Sequence, residues 1–111
     1  MIFIAVDDEP LALKIIEKHA QSLPDWQMIT SFTDASQAID FVKTNAVDLV
    51  ISDINMPDIN GLQFVKELKD EKPLIIFITA NKEHALDGYD LDVIDYLMKP
   101  VSQERFIKAM N

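Results

Sequence analysis

The sequence predicts an α/β domain: a doubly wound (βα)5 three-layer sandwich built on a parallel five-stranded sheet. Three observations carry that reading. Five short apolar runs recur along the 111 residues, stretches of helical spacing separate consecutive runs, and charged side chains stand just past several runs' carboxyl ends. Right-handed crossovers between parallel strands then put helices on both faces of the sheet.

The first run is Ile2 to Val6, continuous and β-branched, as in a strand buried on both faces. Pro10 suits the first turn of a helix, and Leu11, Ala12, Ile15, Ile16, His19 and Leu23 form an apolar-leaning stripe that Pro24 ends. The second run, Met28 to Phe32, carries Thr30 and Ser31 and is therefore expected at a sheet edge. Asp34, in Thr33-Asp34, is a good helix cap, and Ala35, Ala38, Ile39, Val42 and Ala46 follow at helical spacing. Val47 to Ile51 is the third run. Gly61 opens a helix with Leu62, Val65 and Leu68, closed by Pro73, and Leu74 to Ile78 is the fourth run. A short helix over 82–89 closes near Gly88, and Val93 to Met98 is the fifth run, with Asp95 marking the other edge. Ser102 caps a fifth helix with Phe106, Ile107 and Met110 on one side.

Length and patterning fit one domain over residues 1–111, with no repeat or linker. Nineteen acidic against ten basic residues leave a net charge of −9, which argues against direct nucleic-acid binding by this chain, because phosphate contacts need a basic surface. There is no cysteine, hence no disulfide or thiolate chemistry. The five-residue apolar start is too short for a signal or a membrane span, so a cytoplasmic domain without a membrane contact is expected.

The chemistry gathers at the run ends. Asp7 and Asp8 follow the first run, Asp53 the third, Thr79 the fourth, and Lys99-Pro100 the fifth. In a parallel sheet these ends share one edge, outside which open α/β sheets bind their ligands. Three carboxylates there repel one another unless a cation sits among them, and an ammonium or a divalent ion would serve. A single Asp after a strand is as readily a cap or turn former; the combination carries the signal.

Asp7-Asp8-Glu9-Pro10, Asp53-Ile54-Asn55-Met56-Pro57 with Gly61, Thr79-Ala80, and Asp95-Tyr96-Leu97-Met98-Lys99-Pro100 occur in that order. With them the whole chain resembles a response-regulator receiver domain of two-component signalling. The resemblance implies a flavodoxin-like sheet of order 2-1-3-4-5, with which the polar second run agrees. It implies that Asp53 accepts a phosphoryl group from a sensor histidine kinase. Asp8 would ligate Mg²⁺ directly, Asp7 mostly through water and Asn55 through its backbone carbonyl, with Asp53 completing the protein set and Mn²⁺ an acceptable substitute. Lys99, the Thr79 hydroxyl and the Ala80 backbone N–H would bind phosphoryl oxygens. Lys99-Pro100 is expected to be a cis peptide. Asn55 and Asn81 would flank the phosphoryl group.

The resemblance also supplies a switch. Thr79 moves toward the phosphoryl oxygens and Tyr96 turns in from an outward position, altering the surface of the fourth helix, fifth strand and fifth helix to control homodimerisation and output. The chain would be a regulatory phosphoacceptor that promotes its own phosphorylation and dephosphorylation, not a conventional enzyme. The stretch from His84 to Pro100 resembles receivers joined to LytTR-type DNA-binding domains, so such a transcriptional output is expected carboxyl-terminal to this chain. A stand-alone receiver acting by protein–protein contact is the alternative. A haloacid dehalogenase-type phosphatase also uses a strand-end Asp with Mg²⁺, but needs a second acid where this chain has Asn55. A pseudo-receiver that ignores phosphate is disfavoured, since every acceptor residue is present. His19 and His84, each alone on its helix, read as packing or surface residues; Trp26 reads as cover for the sheet edge, and the methionines as gap-fillers.

Overall fold

The structure, a computed structural model, describes residues 1–54, 56, 59, 61–80 and 95–110. The helix expected over 82–89, with Asn81, His84 and Gly88, lies outside the described residues, as do Asn55 and Pro57. Within them the chain runs β1 (Ile2–Val6), α1 (Pro10–Ala20), β2 (Gln27–Phe32), α2 (Ala35–Thr44), β3 (Leu49–Asp53), α3 (Gly61–Glu67), β4 (Leu74–Thr79), β5 (Asp95–Met98) and α4 (Gln103–Met110). Here α4 is the helix expected after Ser102, whose hydroxyl accepts the Arg105 N–H at 3.1 Å.

The five strands form one parallel sheet of order β2-β1-β3-β4-β5. The polar second run and the Asp95 run occupy the two edges, as their sequences require. Successive side chains of each central strand enter opposite cores. Phe3, Leu49, Ile51, Ile76 and Leu97 face Leu13 and Ile16 of α1 and Phe106 of α4. Ile4, Val6, Val50, Ile75 and Phe77 face Ala38, Ile39 and Val42 of α2 and Phe64 of α3. Each large apolar side chain so buried contributes about 1.5–3 kcal/mol.

Local signals set the helix starts. Pro10 occupies the first turn of α1. The Asp34 carboxylate caps α2, accepting the Ser36 N–H at 2.8 Å. His19 is structural, as expected: its Nε2 donates to the Val101 carbonyl at 2.8 Å and its ring packs on Phe106. Trp26 packs edge-on against Phe3 and donates its indole N–H to the Met110 carbonyl at 3.0 Å, tying the entry of β2 to the end of α4.

Two expectations need correction. The third strand begins at Leu49, not Val47, and takes in Asp53; ahead of it Asp48 serves the neighbouring strand, its carboxylate accepting the Ile2 N–H at 2.8 Å. In α1 the inward stripe is Leu13, Ile16 and Ala20, while Leu11 is 70 % exposed. Residues 11–13 and 15–16 are all apolar, so the count permits several stripes and the contact with the sheet selects one.

Candidate functional site

The register of the parallel ladder brings the charged strand ends together. Val6 pairs with Ser52, Asp53 with Ile78, and Thr79 with Met98, so Asp7, Asp53, Thr79 and Lys99 share the carboxyl edge of the four strands β1, β3, β4 and β5. Main-chain hydrogen bonds lock the loops that leave this edge. The Asp7 N–H donates to Phe32 O at 3.0 Å, the Ile54 N–H to Ile78 O at 3.1 Å, and the Lys99 N–H to Thr79 O at 2.9 Å. The Lys99-Pro100 peptide is cis, as expected.

Lys99 is the centre of charge. Its Nζ donates to Asp53 Oδ2 and to Glu9 Oε1, both at 3.1 Å, and lies 2.9 Å from Asp7 Oδ2. Asp7 and Asp53 are buried, whereas Asp8 and Glu9 are exposed. Burial of Lys99 would lower its pKa, but its pairing with the Asp7, Asp53 and Glu9 carboxylates outweighs that and holds it well above the ordinary lysine value. Burial pushes the Asp7 carboxyl up from its ordinary value, and the Glu9 N–H at 2.9 Å and the Lys99 ammonium only partly offset this.

Oxygens of Asp7, Asp8, Glu9 and Asp53 lie within 4.8 Å of one another, a hard-oxygen set of the kind that holds Mg²⁺. Asp7 Oδ2 supplies the test of fit. It is fully buried and, although ion-paired by distance with Lys99, accepts no well-oriented hydrogen bond among the described residues. A buried carboxylate oxygen with lone pairs to spare suits a cation. Asn55, the expected carbonyl ligand, lies outside the described residues.

Thr79 ends β4 and is fully buried, while Ala80 is exposed at the rim. Tyr96 does not stand outward as expected: its ring packs on Phe77, with centroids 5.9 Å apart and its hydroxyl shielded from solvent, and burial raises that hydroxyl's pKa. The contact that sequence reasoning missed is Glu9. It belonged to the quoted Asp7-Asp8-Glu9-Pro10 motif, and its only further signal was an acid placed at the start of a Pro-led helix.

The comparisons with known proteins agree with this geometry. The chain is 34 % identical to MrkE of Klebsiella pneumoniae over 99 % of its own length and 42 % of that protein's. It is 34 % identical to transcriptional regulatory protein YpdB of Escherichia coli K12, covering 95 % of this chain and 44 % of YpdB. It is 33 % identical to sensory transduction protein LytR of Staphylococcus saprophyticus, covering 97 % of this chain and 43 % of LytR. The chain therefore spans less than half the length of these relatives. The crystal structure of the MrkE response regulatory domain superposes with a TM-score of 0.89 at 33 % identity, covering 99 % of this chain and 92 % of that one. No described helix is long and apolar enough to cross a membrane. The model of the response regulator receiver domain matches residues 3–111, and with the parallel sheet and its acidic edge already in view, the chain belongs to that family.

Proposed function

We propose that this domain is a phosphorylation-dependent switch in which Asp53 is the phosphoacceptor. The observation that carries the reading is the Lys99 ammonium set 3.1 Å from Asp53 Oδ2 at the carboxyl edge of the sheet, beside buried Asp7. An Asp53 oxygen attacks the phosphorus of a phosphohistidine on a sensor kinase. The O–P bond forms as the N–P bond breaks, and the imidazole leaves with the electron pair and takes up a proton. Lys99 already faces Asp53, so its charge is in place for phosphoryl oxygens without reorganisation. The Thr79 hydroxyl and Ala80 N–H bind the other oxygens. Asp7 and Asp8, with Asp53, would hold Mg²⁺ or Mn²⁺, which supplies charge neutralisation for phosphoryl transfer. Attack by water on the acyl phosphate later restores the carboxylate and releases inorganic phosphate, so the domain assists both directions of its own cycle.

Thr79 and Tyr96 are the proposed relay to the surface, with homodimerisation as its readout. The relatives' greater length and the name of YpdB, a transcriptional regulatory protein, support a transcriptional output beyond this domain, of LytTR type by the sequence resemblance; a stand-alone receiver is the alternative. Intact-mass spectrometry after incubation with acetyl phosphate and Mg²⁺ tests the acceptor. Wild type is expected to gain one phosphoryl group and Asp53→Asn none; an unmodified wild type refutes the reading. Tyr96→Ala is expected to be phosphorylated yet fail to dimerise, as checked by light scattering.

A further inference from the structure

Lys99 has three N–H donors, and three carboxylates meet it: Asp7 at 2.9 Å, Asp53 at 3.1 Å and Glu9 at 3.1 Å. Asp7 and Asp53 have work in the proposed reaction, while Glu9 has none. Its side chain also leaves aside the task its place in the chain offers. Glu9 is the N-cap residue of α1, yet its side chain makes no capping hydrogen bond; only its carbonyl accepts the Ala12 N–H, at 3.0 Å. Instead its backbone N–H is fixed to Asp7 Oδ1 at 2.9 Å, and its carboxylate reaches a lysine 90 positions away in sequence.

We infer that Glu9 is a positioning residue, which holds one Lys99 N–H at the solvent side of the pocket so that another stays aimed at Asp53 and at the phosphoryl oxygen that follows. The inference rests on Asp53 being the phosphoacceptor. A lysine side chain has many rotamers, and the entropy of fixing it falls on whichever step orders it. With Glu9 and Asp7 gripping the ammonium in the resting state, that ordering belongs to folding and no longer to phosphoryl capture. A cation on Asp7, Asp8 and Asp53 weakens the pull of those carboxylates on Lys99, and Glu9 then carries more of the hold. Against this stands the fact that Glu9 is 68 % exposed, and exposed ion pairs are often energetically idle. The exposed end of this pair, however, grips a lysine whose own side chain is only 18 % accessible.

Beryllofluoride with Mg²⁺ is the probe. Glu9→Ala is expected to weaken its binding about five- to tenfold, and Glu9→Gln, which keeps an acceptor, about two- to threefold. In a Lys99→Ala background Glu9→Ala should add nothing, since the effect runs through the ammonium. Nitrogen-15 spectra of the free protein should show Lys99 ammonium protons exchanging faster in Glu9→Ala than in wild type. Mg²⁺ affinity by calorimetry should change by less than about threefold, the scale of one exposed charge in salt. Unchanged spectra and unchanged beryllofluoride affinity overturn the inference, as does an equal loss with and without Lys99. So does a Mg²⁺ affinity lower by more than about tenfold, which would make Glu9 a metal ligand. A wild type that binds no beryllofluoride refutes the acceptor reading instead, and the ammonium spectra still decide whether Glu9 holds Lys99.

Discussion

A cluster of three ion pairs and a single ion pair stand at opposite ends of β5 and differ in nearly everything but chemistry. Lys99 stands at the carboxyl edge, 18 % accessible, against two buried carboxylates and one exposed one. Arg105 of α4 pairs with Asp95 at the start of β5, at 2.7 Å, with side chains 39 % and 31 % accessible. Arg105 also donates to the Tyr96 carbonyl at 3.3 Å, so this pair fastens a helix to an edge strand. Burial would raise the Asp95 carboxyl, but the guanidinium and the Tyr96 N–H outweigh it and hold it below the ordinary carboxylate range. At Asp7, by contrast, burial wins and the carboxyl stays raised despite the Lys99 ammonium. The pair is balanced and serves the fold; the cluster sets three carboxylates against one ammonium, an excess of negative charge that suits a further cation.

The comparison breaks most decisively at Lys99. Lys99→Ala leaves Asp7 and Asp53 facing each other unscreened, and should cost about 2–4 kcal/mol in urea unfolding without metal. If the cluster and the pair were equivalent, Arg105→Ala would cost as much, and the expectation is that it does not. Asp7→Asn sharpens the contrast by reversing sign. Removing a buried carboxylate whose ionisation is disfavoured should raise metal-free stability by about 1 kcal/mol while abolishing most of the stabilisation that added Mg²⁺ provides. Thermal melts with and without Mg²⁺ read both effects.

The smallest effect belongs to the exposed pair. After allowance for solvent screening, Asp95→Asn should cost about 0.5 kcal/mol at neutral pH. The sign follows from the depressed pKa. Its stabilisation is present above the unfolded value of 3.8 and is lost as pH falls through the lower folded value, so wild type and variant should converge in acid. High salt should shrink the Asp95→Asn difference and leave most of the Lys99→Ala difference, because a buried cluster is poorly screened.

Much of the fold was legible because it rests on local rules. Ile2–Val6 is a strand at the bounds its apolar run marks, Asp34 caps the helix it precedes, and the polar run of Thr30 and Ser31 lies at an edge. Strand-end positions of Asp7, Asp53 and Lys99 follow from the same runs. The phase of α1 was not legible, since five of its first seven residues are apolar and only packing against Phe3 and Ile76 chooses Leu13 over Leu11.

What the chain alone determines is therefore the list of participants and the edge they share, because a parallel sheet puts every strand's carboxyl end on one side. The tertiary structure decides their inequality. Asp7 and Asp8 are adjacent in sequence, yet one is sealed in the sheet edge and the other stands in solvent. Glu9 enters the cluster only because β5 ends beside the first turn of α1 and delivers a lysine to it. Burial and long-range contact depend on the packing of elements distant in sequence, and no local pattern encodes them.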